Sequence, residues 1–332
     1  YWCLDINWNS YFNKVICMER GCRIGMVDKL IIFILVALFI IIIASPIVFK
    51  GYYLYQLNKK SKIIQTSVGP IEFRLVGEKG PVILFIHGTP GGHDQTMEPS
   101  ENFRVLTPSR PGYLRTPLSV GLTPIEQAKS FKALLIALNI NEVFIVGVSG
   151  GGPASMEFAA KYPKTTLGLI ALEAVSFSDN FKDADSEIIE SSDRKMFFSF
   201  LLVKLLGKKA LVTSMFPNSI NQQKALSDIK NIKVLTNLMW SIWPLSERSN
   251  GYNNDYEQFK NLSLPLSSIK VPTIVIHGDE DINVKLDHAF FTTKSIQNSK
   301  LHIINGGDHY MFGSHAIEIN KIMNNFIKDL TT

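Results

Sequence analysis

Short apolar runs alternate with segments of helical composition over most of the chain. The runs at 82–86, 142–146 and 273–276 are rich in Val, Ile and Phe, which is typical of buried parallel strands. The segment 153–162 has a helical composition and stops before Pro163, which cannot continue a helix. This alternation predicts an α/β fold, with a mostly parallel sheet and helices on both faces.

Further elements extend this pattern at both ends of the region. Two alternating runs at 63–68 and 71–76 meet at a Gly-Pro pair and predict an edge hairpin. A helix is predicted from Pro124, because Thr123, Pro124 and Glu126 form a capping-box pattern. The other predicted elements are strands at 103–107, 167–175 and 301–304 and a last helix at about 316–330.

The alternation of strands and helices lapses between Val175 and Val271. Apolar stretches with helical spacing replace it at 196–203, 210–216 and 232–243. Because this segment is inserted between two predicted strands, we expect a helical cap over the end of the sheet where ligands bind. Its Phe and Trp side chains are expected mainly in the core of the cap, with some apolar wall facing a substrate.

The most apolar segment of the chain lies near its N-terminus. Residues 30–49 contain no charged side chain, and Lys29 and Lys50 flank them. As a helix, a run of this length spans roughly 30 Å, which predicts an uncleaved transmembrane anchor. A cleavable signal peptide is the alternative, since Ala44 and Ser45 are small, but the apolar core of such a peptide has only about 7–15 residues. Lysines and arginines occur on both sides, so they leave the orientation undecided.

Composition limits the class of protein further. With 332 residues, 46% hydrophobic and 19% charged, the chain can bury a full core. The net charge of +5 is mild and the basic residues are scattered, so no nucleic-acid surface is predicted. All three cysteines precede the apolar run, so the compartment cannot be read from cysteine usage.

A serine between glycines follows the predicted strand at 142–146. Gly-x-Ser-x-Gly at a strand-to-helix junction suits a turn too tight for side chains at its flanking positions, and such a turn exposes the serine hydroxyl. Ser149 occupies this position in the stretch GVSGG. The alternative is a glycine-rich turn with an ordinary serine.

The partners that a nucleophilic serine needs appear later in the chain, in the order that this topology requires. A serine hydroxyl needs a base, usually His, and a carboxylate that orients the base. The carboxylates Asp279, Glu280 and Asp281 follow the predicted strand at 273–276, and His309 follows the last strand. The order Ser, carboxylate, His is the one expected in an α/β sheet of this type.

Together, the motifs HGTPGG, SRPGY, GVSGGGP, HGDEDINV and GGDH resemble the α/β-hydrolase superfamily over roughly 61–330, apart from the cap. The resemblance implies that Ser149 is the nucleophile, Asp281 the acid and His309 the general base and acid. It also implies that the backbone amides of Thr89 and Gly150 stabilise the oxyanion.

Several candidates for the acid stay open beside Asp281. Asp279 and Glu280 are neighbours in the same loop, but the family pattern of a carboxylate three residues after the glycine of His-Gly favours Asp281. Glu173 is another rival, because some superfamily members place their acid after that strand, although it is expected to line the cap junction. Asp308 is expected to cap its own loop. The family commonly has a glycine where Leu114 stands, which leaves the conformation of that loop open.

These observations predict a membrane-anchored serine hydrolase that cleaves a carboxylic ester or a similar acyl compound through an acyl-enzyme. The expected partners are a small, hydrophobic acyl substrate and a membrane, without a cofactor or a metal. A prolyl-iminopeptidase-like peptidase or amidase is an alternative, although such enzymes commonly carry Trp where Gly150 stands. A non-catalytic binding module is another alternative, and acyl transfer to an alcohol would use the same residues.

The predicted organisation follows from these assignments. Residues 1–25 are expected to be an upstream extension or the result of a misassigned start, because Met26 offers a plausible natural start. The predicted segments are an N-terminal extension at 1–28, a transmembrane anchor at 29–50, a linker at 51–62, a first part of the hydrolase core at 63–175, a helical cap at 176–271 and a second part of the core at 272–332.

Overall fold

The structure is a computed structural model that describes residues 25–97, 102–179 and 191–331. Most of the predicted N-terminal extension lies outside these residues. The chain divides into two compact units, Tyr1–Tyr52 and Tyr53–Thr332. Each unit is described by itself below.

The first unit holds most of a single long helix, α1 (Met26–Lys59). This helix is long and apolar enough to cross a membrane, and most of its apolar side chains are exposed. A signal sequence or a core helix of a soluble protein can pass the same test of length and composition.

The helix continues into the segment that sequence analysis predicted as a linker, and it ends only at Lys59. The physical reason lies within the second unit, where the last turns of the helix are packed. There Leu57 is buried, and the Tyr53 hydroxyl donates a hydrogen bond to the carbonyl of Trp240 at 3.0 Å. Tertiary packing of this kind stabilises a helix more than propensity does.

The second unit is built on one eight-stranded sheet, in the order β1-β2-β4-β3-β5-β6-β7-β8. The β1–β2 and β2–β4 pairs are antiparallel, which confirms the predicted edge hairpin, and all other pairs are parallel. The strands are β1 (Lys62–Thr66), β2 (Gly69–Val76), β3 (Val82–Ile86), β4 (Arg104–Pro108), β5 (Val143–Val148), β6 (Thr166–Leu172), β7 (Thr273–Gly278) and β8 (Ser299–Ile304).

Both faces of the sheet are covered, as the apolar runs predict. Successive side chains of a strand point to opposite faces, so Leu84 and Ile86 of β3 join one core cluster while Ile83 and Phe85 join another. The helices of this layer structure are α2 (Pro124–Ala137), α3 (Gly152–Lys161), α9 (Asp287–Ser295) and α10 (Ala316–Asp329). The predicted capping box starts α2: Glu126 N donates to Thr123 Oγ1, and Thr123 N donates to Glu126 Oε2.

The described part of the segment between β6 and β7 is mainly helical, as predicted. Its described helices are α4 (Asp193–Leu206), α5 (Lys208–Met215), α6 (Ser219–Leu226), α7 (Ile229–Trp240) and α8 (Ser249–Phe259). The three apolar stretches found in the sequence correspond to α4, α5 and α7. Sequence analysis missed α6 and α8, which are both polar on average.

A buried ion pair joins this helical segment to the sheet domain. The guanidinium of Arg248, next to α8, donates to Asp94 Oδ2 at 2.8 Å and to the carbonyl of Gly91 at 2.6 Å. Asp94 and Gly91 belong to the loop after β3. Arg248 is fully buried, so the pair is shielded from solvent and fastens the helical segment to that loop.

Candidate active site

The predicted tight turn is present at the end of β5. Ser149 has a φ of 49°, in the left-handed region that L-residues rarely adopt, and a short 3-10 turn leads from it into α3. A Cβ on Gly151 would lie 2.5 Å from the carbonyl oxygen of Ile86, so only glycine fits there. The turn therefore holds the serine in a strained conformation at the carboxyl end of the strand, as the sequence predicts.

The structure brings the three predicted triad residues into one hydrogen-bonded row. His309 Nε2 lies 3.1 Å from Ser149 Oγ, and His309 Nδ1 lies 2.8 Å from Asp281 Oδ2. With the Nδ1 proton donated to Asp281, Nε2 is free to accept the serine proton. These distances have the geometry of a nucleophile, its base and the group that orients the base.

Asp281 is held as a carboxylate by its loop. Its Oδ1 accepts hydrogen bonds from the backbone N–H groups of Asn283 and Val284, both at 2.9 Å. Burial alone would raise the pKa of Asp281, but the charge and hydrogen bond of His309, with His277 and the Val284 amide, more than offset it and lower that pKa. Asp281 is therefore ionised and oriented toward His309.

The other carboxylates of these two loops point elsewhere. Asp279 is exposed and accepts a hydrogen bond from Gly306 N at 2.6 Å, and the exposed Glu280 accepts one from the side chain of Asn218 at 2.8 Å. Asp308 accepts from Tyr310 N at 2.9 Å and so caps its own loop. None of these three hydrogen bonds involves His309.

Glu173 lies beside the triad rather than only at the cap junction. It follows β6 with a φ of 49°, is fully buried, and makes no side-chain hydrogen bond to the described residues. Burial, together with the charges of Asp281 and Asp308, raises the pKa of Glu173 well above its usual value. The side chain is therefore a neutral carboxylic acid next to an ionised one.

Glu173 also belongs to a group that has the spacing of metal ligands. One oxygen each of Glu173 and Asp281 and one nitrogen of His309 all lie within 4.8 Å of one another. The facing atoms of Asp281 and His309 are already hydrogen-bonded to each other, and the other oxygen of Asp281 accepts two N–H groups. A metal ion at this place would have to displace the hydrogen bond that orients His309.

The two residues predicted to stabilise an oxyanion are neighbours in the structure. Thr89 lies in the loop after β3, and a Cβ on Gly150 would lie 2.1 Å from Thr89 Oγ1. His87 braces the same loop, since its ring bonds to the carbonyl of Gly88 at 2.8 Å and accepts from Arg110 N at 2.9 Å. Burial and the charge of Arg110 lower the pKa of His87 well below its ordinary value, so this brace is neutral.

A buried network that sequence analysis did not predict surrounds Thr89 and Gly150. Asp255 of α8 accepts hydrogen bonds from the hydroxyls of Thr89 and Tyr113 and forms an ion pair with Arg110. Burial alone would lower the pKa of Arg110, but Asp255 raises it. Sequence analysis singled out no residue of α8 and so did not identify Asp255.

The loop that carries Arg110 has a left-handed residue at the position where the sequence departs from the common family form. Leu114, which stands where a glycine is usual, has a φ of 50°. Its N–H donates to the carbonyl of Glu247 at 2.7 Å, so a contact from the helical segment holds it there. The left-handed conformation costs a non-glycine residue on the order of 1–2 kcal/mol. Leucine therefore occupies a conformation that favours glycine, with the Glu247 carbonyl as its hydrogen-bond partner.

The fold and the site define the class of protein to which the chain belongs. It is a member of the family described as alpha/beta hydrolase fold, whose sequence pattern matches residues 81–316. An uncharacterized hydrolase of Bacillus subtilis, YcgS, is 24% identical over 287 residues, covering 82% of this chain and all of that protein. A putative non-heme chloroperoxidase of Synechocystis is 25% identical over 266 residues, covering 78% and 95%. A solved alpha/beta hydrolase fold protein from Nakamurella multipartita is 28% identical, with a TM-score of 0.69, and the match covers 77% and 93%.

Proposed function

We propose that this protein is a membrane-anchored serine hydrolase that cleaves a carboxylic ester or a similar acyl compound through an acyl-enzyme on Ser149. The row Ser149–His309–Asp281 carries the proposal, because it joins a hydroxyl, an imidazole and a carboxylate by two hydrogen bonds. Membership of a hydrolase family is consistent with this reading.

The reaction follows from the atoms in the row. Ser149 Oγ attacks the acyl carbonyl carbon while His309 Nε2 takes its proton, and Asp281 stabilises the imidazolium that results. The backbone N–H groups of Thr89 and Gly150 stabilise the oxyanion of the tetrahedral intermediate. The intermediate collapses, His309 gives its proton to the leaving alcohol, and the acyl group stays on Ser149. Water, deprotonated by His309, then attacks the acyl carbon. The bond from that carbon to Ser149 Oγ breaks as His309 returns the proton to this oxygen, which releases the acid and restores the serine.

The surroundings of Ser149 favour an apolar acyl group. Val175, Phe259 and Val284 form a small buried apolar cluster, and Val175 N donates to the carbonyl of Ser149 at 3.0 Å. Phe259, from α8, also approaches the position that a Cβ on Gly150 would occupy, at 3.2 Å. An apolar wall beside the nucleophile is typical of pockets that bind hydrophobic ligands.

Gly150 argues against the peptidase alternative. Prolyl iminopeptidases commonly carry Trp at this position, but here the Thr89 hydroxyl fills the space that any Cβ would need. The glycine therefore belongs to the local packing and marks a departure from that subfamily.

Replacing the nucleophile tests the proposed chemistry. Ser149→Ala is expected to lower kcat/KM for short p-nitrophenyl esters by at least about 1,000-fold and to abolish labelling by a fluorophosphonate probe, since the attacking oxygen is gone. Ser155→Ala is the matched control, because Ser155 lies six residues further along the chain and its hydroxyl donates to the carbonyl of Gly152. Unchanged turnover in Ser149→Ala would refute the assignment.

The length and composition of α1 support the membrane part of the proposal. Its apolar run has the length of a bilayer crossing, and a cleaved signal peptide is the competing reading. After expression of the full chain, we expect the protein to stay in the membrane pellet at alkaline pH and to keep α1 by N-terminal sequencing. A soluble product that begins after residue 45 would contradict the anchor and favour the signal peptide.

A further inference from the structure

One buried ion pair contacts both residues that are proposed to supply the oxyanion hole. Arg110 Nη1 donates to the carbonyl of Gly150 at 3.0 Å and to Asp255 Oδ1 at 3.1 Å. The hydroxyl of Thr89 donates to the other oxygen of Asp255, and Arg110 Nη2 lies 3.2 Å from the same hydroxyl. The two oxyanion residues are thus linked to each other through Arg110 and Asp255.

The members of this network come from separate parts of the chain. Thr89, Arg110 and Gly150 lie in the loops after β3, β4 and β5, whereas Asp255 lies on α8 of the helical segment. Arg110 and Asp255 are 1% and 2% exposed, so their interaction is little screened by water. Tyr113 donates a further hydrogen bond to Asp255, which leaves the carboxylate well satisfied.

We propose that Asp255 is a positioning residue through which the helical cap holds the oxyanion donors Thr89 and Gly150 in their working geometry. This role rests on the proposed serine hydrolase function. Asp255 touches no reacting atom, but it restrains both residues whose N–H groups would stabilise the oxyanion.

The restraint matters because these two residues are free to move without it. Glycine admits a wide range of φ and ψ, so the carbonyl of Gly150 needs an external partner to fix its direction, and Arg110 provides that partner. Arg110 is in turn oriented by Asp255. The rotamer of Thr89 is fixed by the same carboxylate, and its hydroxyl fills the space where a Cβ on Gly150 would lie. Small errors in donor position weaken oxyanion stabilisation, which acts mainly on kcat.

The chain offers a matched control in the second buried ion pair between the same two regions. Arg248 and Asp94 also join the helical segment to the loop after β3, with side chains 0% and 11% exposed. Neither residue bonds to Thr89 or Gly150 among the described contacts of this pair. Loss of the Asp94 charge therefore loosens the cap without removing a restraint on the oxyanion donors.

The experiment compares Asp255→Asn with Asp94→Asn in the full chain, using ester turnover that depends on Ser149. For Asp255→Asn we expect kcat to fall about 10- to 100-fold, with KM within about twofold and an unchanged pH profile, since the row at His309 is untouched. For Asp94→Asn we expect a lower Tm with kcat within about twofold. Equal losses of kcat in the two variants would overturn the proposal, because they would reflect loosening of the cap alone.

A second pair of variants, at Thr89, leaves Asp255 and Arg110 in place. This pair tests the positioning role even if Asp255→Asn fails to fold. Thr89→Val removes the hydroxyl but keeps the branched shape, and its kcat is expected to fall as in Asp255→Asn. Thr89→Ser restores the hydroxyl and is expected to recover most of that loss. Full activity in Thr89→Val would overturn the positioning role but leave the proposed function standing. A wild-type chain without Ser149-dependent turnover would instead overturn the proposed function and this role with it.

Discussion

Two buried carboxyl groups, Asp281 after β7 and Glu173 after β6, lie beside the same histidine in opposite states. Asp281 accepts hydrogen bonds from two backbone amides and from His309, which lower its pKa. Glu173 has no side-chain hydrogen bond to the described residues, and burial raises its pKa well above its usual value. The two loops therefore present an ionised and a neutral carboxyl within a few ångströms of each other.

The two carboxyls differ because Asp281 receives hydrogen bonds and the charge of His309, whereas Glu173 is buried without a side-chain hydrogen bond to the described residues. Both groups are buried and both are close to His309. The loop after β7 turns its backbone N–H groups toward Asp281, whereas the turn at Glu173 offers none to its side chain. When two neighbouring carboxyls in one site have different pKa values, they can carry out different roles at the same pH.

The largest expected effect comes from removing the charge of Asp281. Asp281→Asn keeps the shape of the side chain but no longer stabilises the imidazolium, and it allows the wrong tautomer of His309. We expect kcat for a p-nitrophenyl ester to fall by about 1,000- to 10,000-fold. Steady-state kinetics from pH 6 to 9 measure this directly.

Asp279→Asn is the control for that variant. Asp279 is two residues away in the same loop, but it is exposed and bonds to Gly306 rather than to His309. Its kcat is expected to stay within about twofold of wild type. Asp281→Asn could instead keep most of its activity and lose it only after the further change Glu173→Gln. In that case Glu173, and not Asp281, would be the carboxyl that supports His309.

Local motifs allowed the sequence to predict which three side chains meet in one hydrogen-bonded row, but not the residues around them. The glycines around Ser149, the spacing that favours Asp281 and the position of His309 each depend on a few adjacent residues. Asp255, in contrast, acts through contacts with Thr89 and Arg110, which are more than 140 residues away in sequence. Contacts between residues so far apart in sequence leave no local pattern, so sequence analysis did not predict the network.

The ends of the predicted strands and helices show the same limit of prediction from sequence. The strand predicted at 167–175 ends at Leu172, because Glu173 takes a left-handed φ although the residues after it are apolar. The linker predicted at 51–62 is helical up to Lys59, because side chains such as Leu57 are packed there. Both differences arise from tertiary contacts that override local composition.

The smallest expected effect concerns the neutral state of Glu173. A buried acid whose pKa is raised loses stability as pH rises, because above its usual pKa of about 4.3 the unfolded chain releases the proton that the folded chain retains. The glutamine in Glu173→Gln never ionises. The difference in Tm between this variant and wild type is therefore expected to be near zero at pH 4.5, and the variant is expected to become the more stable protein toward pH 8. A tenfold difference in proton affinity is worth about 1.4 kcal/mol, or roughly 2–4 °C in a domain of this size. Activity at pH 7 is expected to stay within about threefold, since both side chains are neutral.

Glu72 supplies a control, because its pKa is shifted in the opposite direction from that of Glu173. It is also fully buried, but Ser61 and the backbone and side chain of Arg115 donate hydrogen bonds to it. Burial alone would raise its pKa, but the charge of His93 and these donors outweigh burial and lower it. A lowered pKa adds stability above the usual value, and this stability is lost as pH falls. Glu72→Gln is therefore expected to lower Tm most at pH 8 and less at pH 4.5 in thermal melts. If both variants shifted Tm in the same direction with pH, the assignment of a neutral Glu173 would be wrong, and with it the contrast between the two carboxyls beside His309.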